Sequence, residues 1–132
     1  MIEKFKNYAD LPIRLAVGFH LIYGTQDNVF SWDRMLEFEA FLLAFGFPMP
    51  LISAIVSVYA QFICGILFII GWKVRWAGAV MMANFLIAII MVHIGDSYPN
   101  VYPAISMFAG AVFMVLNGAG AMSMDQLKKT AK

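Results

Sequence analysis

Residues 51–72 read LISAIVSVYAQFICGILFIIGW, and this stretch decides the fold class. It contains no charged side chain, and Gln61 is its only strongly polar residue. A helix of about 20 mostly apolar residues crosses the hydrocarbon core of a bilayer, which is roughly 30 Å thick. The stretch therefore predicts a transmembrane helix.

The composition extends this prediction to the whole chain. Of its 132 residues, 62% are hydrophobic and only 13% are charged, whereas about 25% of the residues of a soluble domain are charged. The net charge of +1 and the absence of any charge run exclude disorder, a coiled coil and nucleic-acid binding. Cys64 is the only cysteine, which excludes an internal disulfide. We interpret the chain as a small integral membrane protein in contact with the lipid bilayer.

Three further stretches predict membrane spans, at about residues 11–26, 76–95 and 101–120. The first is shorter than the others and is interrupted by Arg14 and His20. Together with 51–72, they predict an all-α fold that forms a single membrane domain over residues 1–132. The expected architecture is an integral membrane four-helix bundle.

A short apolar segment lies between spans 1 and 2. Residues 35–47 would form a helix only about 20 Å long at 1.5 Å per residue, and Pro48 and Pro50 prevent its continuation. We therefore predict a re-entrant or interfacial half-helix over about residues 33–47, capped by Ser31 or Asp33. An amphipathic connector on the membrane surface is the alternative.

The basic residues predict the orientation. Four crossings place both termini and the 73–75 turn on one face, which then carries Lys4, Lys6, Lys73, Arg75, Lys128, Lys129 and Lys132. The opposite face has only Arg34, so the positive-inside rule predicts that both termini are cytoplasmic, in a bacterial cytoplasmic membrane. A cleaved signal peptide over residues 1–25 is disfavoured because Arg14 interrupts its apolar part and no small-x-small cleavage site follows.

Several short motifs follow one another along the chain at characteristic spacing. They are Arg14-Leu15 with Gly18 and Gly24; Gly46-Phe47-Pro48; Gly65-Ile66-Leu67 with Gly71 and Lys73-Val74-Arg75; His93; and Gly118-Ala119-Gly120 with Ser123-Met124-Asp125. In their order and spacing, over about residues 12–125, the chain resembles the DoxX family of membrane proteins.

The resemblance implies a four-span helical bundle related to subunits of thiosulfate:quinone oxidoreductase and to methylamine-utilisation membrane proteins. It further implies an accessory role in a membrane redox system, with quinone as the candidate cofactor and redox-enzyme subunits as partners. The chain departs from the family at Gln61, where many relatives carry an acidic residue. It departs again at residues 25–27, where many relatives carry a lysine.

Polar side chains inside the predicted spans are the candidate ligand-binding residues, because each needs a partner in the bilayer. They are Arg14, His20, Gln61, Asn84 and Asn117. The spacing places His20, Gln61 and Asn84 near the midplane, and Arg14 and Asn117 nearer the cytoplasmic side. Gln61, Asn84 and Asn117 each lie on a stripe of small residues that allows close helix packing. Hydrogen bonding between helices is the alternative role, and snorkelling to the headgroups is the alternative for Arg14.

Glu37, Glu39 and His93 are expected to line the outer opening of the bundle. We predict no metal site, because His20 and His93 lie at different depths and the ten methionines occur without a His/Cys cluster. No hydrolytic triad, P-loop or dinucleotide motif is present, and no catalytic residue is assigned.

Three functional hypotheses remain open at this stage. The chain is an accessory subunit of a membrane redox system that binds a quinone or another lipid-soluble molecule, and at most a subunit of a quinone-linked oxidoreductase. Alternatively, it is a non-redox binding or transport module for a small hydrophobic molecule. The third hypothesis is a structural or assembly protein. A homo-oligomer is compatible with each of them.

Overall fold

The computed structural model describes residues 1–131, in which all regular structure is helical and no strand occurs. A 3-10 helix, Ile2–Tyr8, comes first. It is followed by α1 (Leu11–Phe30), α2 (Trp32–Ala44), α3 (Pro50–Ile70), α4 (Val74–Val92), α5 (Tyr98–Asn117) and α6 (Met124–Thr130).

Among the described residues, three helices are long and apolar enough to cross a membrane: α3, α4 and α5. α1 is equally long, with 20 residues, but Arg14, His20 and the polar residues 26–28 reduce its hydropathy. The chain is therefore an all-helical protein with several membrane-capable helices.

Some helix ends differ from the predicted span ends. α1 continues past residue 26 to Phe30, because polar side chains end an apolar run without ending a helix. α5 ends at Asn117, three residues before the approximate end predicted for the fourth span, where Gly118 takes a φ of 70°. That conformation suits glycine and stops the helix.

Glycines bring the long helices together in two antiparallel pairs. A Cβ on Gly18 of α1 would lie only 2.7 Å from the carbonyl oxygen of Gly65 on α3, so these backbones are in direct contact. A Cβ on Gly78 of α4 would likewise lie 3.0 Å from the carbonyl oxygen of Ala111 on α5. Small residues permit this close packing between membrane helices.

The main core lies toward one end of these pairs. Its buried side chains are Val17, Leu21, Cys64, Phe68, Val74, Ala77, Met81, Ala111 and Met114. The buried residues of α4 all lie within its first eight positions, from Val74 to Met81. This end also contains Asp10 and the 118–123 segment, and we call it the termini end.

α2 packs at the other end, against α1 and α3. Its Met35 and Leu42, seven residues apart and therefore on one face, are buried together with Ala54 and Val58 of α3. The Ser31 side chain accepts a hydrogen bond from the backbone N–H of Arg34 and caps the helix. α2 is thus fixed to the α1/α3 pair.

Candidate functional site

A chain of polar side chains connects α3 to α4 near the middle of both helices. Gln61 Nε2 donates a hydrogen bond to Ser57 Oγ at 3.0 Å. Ser57 Oγ in turn donates to Asn84 Oδ1 at 2.8 Å. Gln61 lies one turn after Ser57 on α3, so both residues occupy one face. We call these three residues the polar chain.

Two side-chain atoms of the polar chain form no hydrogen bond within residues 1–131. They are the carbonyl oxygen of Gln61 and the amide nitrogen of Asn84, whose NH2 group carries two donor hydrogens. No buried side-chain nitrogen or oxygen in this part of the chain lacks a partner, so both atoms are accessible from outside the protein. A molecule with a hydrogen-bond acceptor and a donor can engage both.

The polar chain lies at the edge of the main core. Met81, about one turn before Asn84, is 1% exposed, and Cys64, about one turn after Gln61, is 5% exposed. Beyond Asn84, every side chain of α4 is half-buried or exposed. The polar chain therefore lies where the buried part of α4 ends.

His20 does not join the polar chain. Its side chain is exposed on α1, with its ring 6.1 Å from the ring of Phe19. Val17 and Leu21 are buried, and His20 lies about 100° around the helix from Leu21. His20, which we expect at the same depth as Gln61 and Asn84, therefore lies on a different face, because equal depth does not imply a shared face.

Arg14 is fully buried at the start of α1. Its Nε donates to Asp10 Oδ2 at 2.7 Å, and Nη1 donates to the carbonyl oxygen of Phe68 at 3.2 Å. Nη2 donates to the carbonyl oxygens of Ala121 and Met122 at 3.2 Å. Arg14 is therefore paired inside the protein and does not snorkel toward the headgroups. This arrangement ties α1, the end of α3 and the 118–123 segment together.

Asp10 is a buried charged residue that the sequence analysis missed. It is 1% exposed, and the oxygen that pairs with Arg14 also accepts a hydrogen bond from the Gly120 N–H at 2.9 Å. A Cβ on Gly120 would lie 2.6 Å from the other carboxylate oxygen, which leaves no room for a side chain. The spacing of four residues between Asp10 and Arg14 is that of a helical ion pair and was a usable signal.

Two further contacts hold the helix ends at the termini end. The carboxylate oxygens of Asp125 accept the backbone N–H groups of Lys73 and Val74 at 2.8 and 3.0 Å, and so cap the start of α4. Arg75 donates to the carbonyl oxygens of Val115 and Leu116, at the end of α5, at 2.5 and 2.9 Å.

Asn117 lies apart from the other candidates. Its side chain is exposed at the end of α5 and donates to the neighbouring Gly118 carbonyl oxygen at 2.9 Å. Its expected depth, nearer the cytoplasmic side at the level of Arg14, stays a prediction.

The three residues expected at the outer opening do not form one group. Glu37 pairs with Arg34 on the exposed face of α2 at 3.0 Å, and Glu39 is half-buried on the same helix. His93 contacts Asp96 at 3.2 Å after the end of α4. α2 packs against α1 and α3 rather than α4, which separates the two glutamates from His93.

Within residues 1–131, no three His, Cys, Asp or Glu side chains lie close enough together to hold a metal ion. Cys64 is a buried free thiol.

Comparison with known proteins places these features in a family context. The sequence model of the family described as DoxX matches residues 9–94, a range that includes Arg14 and the whole polar chain. The inner membrane protein YphA of Escherichia coli (strain K12) is 22% identical over 110 residues, which cover 74% of this chain and 79% of that protein. No solved structure matches the chain.

Proposed function

The chain belongs to the DoxX family, and on that premise we propose that it is an inner-membrane protein that binds a quinone or a similar lipid-soluble molecule. In this proposal it spans the membrane four times and serves as an accessory subunit of a membrane redox system. The binding site is the polar chain, with Gln61 and Asn84 in contact with the ligand.

One observation carries the proposal: the unused donor of Asn84 and the unused acceptor of Gln61 are both accessible at mid-helix. A quinone carbonyl oxygen accepts a hydrogen bond, which suits the Asn84 N–H group. A quinol hydroxyl donates one, which suits the Gln61 carbonyl oxygen. Both protein groups are uncharged, so their presence in the bilayer costs less than that of an ionised side chain.

The residues of the site also limit the role of this chain. Neither Gln61 nor Asn84 takes up or releases a proton near neutral pH. Cys64 has no second cysteine in the chain for thiol–disulfide exchange. We therefore assign to this chain the binding and orientation of the quinone, and to a partner subunit the supply of electrons.

We expect quinone to stabilise the wild-type protein against heat, and Gln61→Leu and Asn84→Leu to lose most of this effect. A ligand group left without its hydrogen bond costs roughly 1–3 kcal/mol, or about a 5- to 150-fold loss of affinity. The measurement is the unfolding midpoint in detergent at a series of quinone concentrations.

His20→Phe is the matched control, since His20 is also polar and mid-helix but lies on another face. It should keep the wild-type response. If the polar chain only joins the helices, Gln61→Leu and Asn84→Leu should lower the stability only slightly, because one interhelical hydrogen bond contributes only about 0.6 kcal/mol. Absence of quinone stabilisation in the wild type would contradict the proposal and favour that role.

The proposed topology has both termini in the cytoplasm. It is supported by the basic residues near the termini end and by the pairing of Arg14 with Asp10, which removes the net charge that disfavours insertion of α1. Reporter fusions after residue 132 and within residues 96–100 should report opposite sides of the membrane. Reporters on the same side would contradict four crossings.

A further inference from the structure

A cavity of about 280 Å³ lies at the termini end, where the start of α4, the end of α5 and α6 meet. Its wall includes Lys73, Arg75, Trp76, Asp125 and Lys129. It is separate from the polar chain, which lies in the middle of α3 and α4. Pockets for drug-sized ligands usually measure about 300–1,000 Å³, so this cavity suits a smaller group.

The wall of this cavity is positively charged. Three cationic side chains and one carboxylate line it, and none of these cations forms a salt bridge within residues 1–131. Asp125 keeps its negative charge while its oxygens accept backbone N–H groups at the start of α4, so three cations and one carboxylate leave the wall with a net charge of +2. The cavity therefore favours an anion.

Hydrogen bonds hold the walls of the cavity in place. Asp125 fixes α6 to the first residues of α4, and Arg75 fixes the start of α4 to the end of α5. The guanidinium of Arg75 is engaged in these contacts. The cavity is also lined by Lys129 and by Lys73, whose ammonium group lies 5.2 Å from the centroid of the Trp72 ring. Two ammonium groups at the edge of a cavity suit a phosphate group.

The surface next to the cavity is apolar. Trp76 and Leu116 are 76% and 72% exposed, and Val80 follows Trp76 by one turn on the same face of α4. Tryptophan is typical of the boundary between lipid headgroups and acyl chains. An anionic ligand in the cavity would therefore lie directly beside apolar protein surface that can contact acyl chains.

We propose that this cavity binds the phosphate of an anionic phospholipid, with Lys73 and Lys129 at the headgroup and the acyl chains along Trp76, Val80 and Leu116. A free phosphate shares the headgroup chemistry but makes no use of the apolar surface. Basic cavities between membrane helices bind anionic headgroups in this way, with each nearby lysine worth about 1 kcal/mol.

Native mass spectrometry of the detergent-solubilised protein with phosphatidylglycerol or phosphatidylcholine tests the proposal. Lys73→Gln should lower the affinity for phosphatidylglycerol about 5-fold, and Lys73→Gln/Lys129→Gln about 30-fold. Phosphatidylcholine binding should not change. Inorganic phosphate, added as a competitor, should not displace the lipid.

Lys4→Gln/Lys6→Gln is the matched control, because it removes the same charge from the exposed 3-10 helix. It should keep the wild-type affinity for phosphatidylglycerol. An equal loss in this control would overturn the proposal, since binding would then follow net charge alone. Displacement of the lipid by inorganic phosphate would assign the cavity to a free anion instead.

Discussion

Arg14→Met is expected to lower the free energy of unfolding by about 3–5 kcal/mol, because breaking a buried ion pair leaves an unpaired charge in the protein interior. Asp10, at 1% exposure, would lose its charge partner. The carbonyl oxygens of Phe68, Ala121 and Met122 would lose their donor as well. The measurement is chemical or thermal unfolding in detergent, with size-exclusion chromatography to detect loss of the folded form.

Arg34→Met is the matched control for this prediction. Arg34 also pairs with a carboxylate, Glu37, but both side chains are more than half exposed. An exposed ion pair contributes about 0–1 kcal/mol, so the control should be close to wild type. The double variant Asp10→Leu/Arg14→Met should be less destabilised than the sum of the two single changes. A loss in Arg14→Met no larger than in Arg34→Met would show that the buried pair does not hold the fold.

The structure explains why motifs far apart in the sequence occur together. Arg14, Gly71, Gly120, Ser123 and Asp125 all come from the motifs that carry the family resemblance, and all meet at the termini end. A Cβ on Gly71 would collide with both the Arg14 guanidinium and the Ser123 side chain. The Asp125 N–H donates to the Gly71 carbonyl oxygen at 2.9 Å. These motifs therefore build one structural cluster and do not line the polar chain.

The sequence predicted the long helices, since these depend on the length of the apolar runs. It also placed Gln61 and Asn84 correctly on facing stripes, because the stripe of small residues on each helix defines a packing face. His20 lies on no such stripe, so the face of α1 that it occupies could not be predicted in this way. Its side chain is exposed, whereas the side chain of Leu21 beside it is buried.

The contacts of the last segment could not be predicted from periodicity. Residues 118–123 form no helix. The partners of Gly120, Ala121 and Met122 lie more than 100 positions earlier in the chain, as in the bond from Gly120 to Asp10. A glycine motif indicates that another segment of the chain packs closely against it, but the motif does not identify that segment. The cavity beside Lys73 and Lys129 depends on the same long-range packing, and its two lysines are 56 positions apart in the sequence (129 − 73).

Gly18→Ala is expected to destabilise the protein by about 1–3 kcal/mol, the usual cost of overpacking a tight contact. The new methyl group would lie 2.7 Å from the Gly65 carbonyl oxygen and 2.8 Å from a side-chain carbon of Ile69. The first of these is backbone, so α1 and α3 must move apart. That movement also draws Arg14 away from the carbonyl oxygen of Phe68, one of its partners.

Gly24→Ala is the matched control on the same helix, because no heavy atom lies within 4 Å of the position its Cβ would take. Alanine in place of glycine inside a helix stabilises it by roughly 0.5–1 kcal/mol. The two substitutions add the same methyl group to α1, yet they should shift the unfolding midpoint in opposite directions. If Gly18→Ala raised the midpoint as Gly24→Ala does, a side chain would fit between the helices. The direct backbone contact of α1 with α3 would then be refuted.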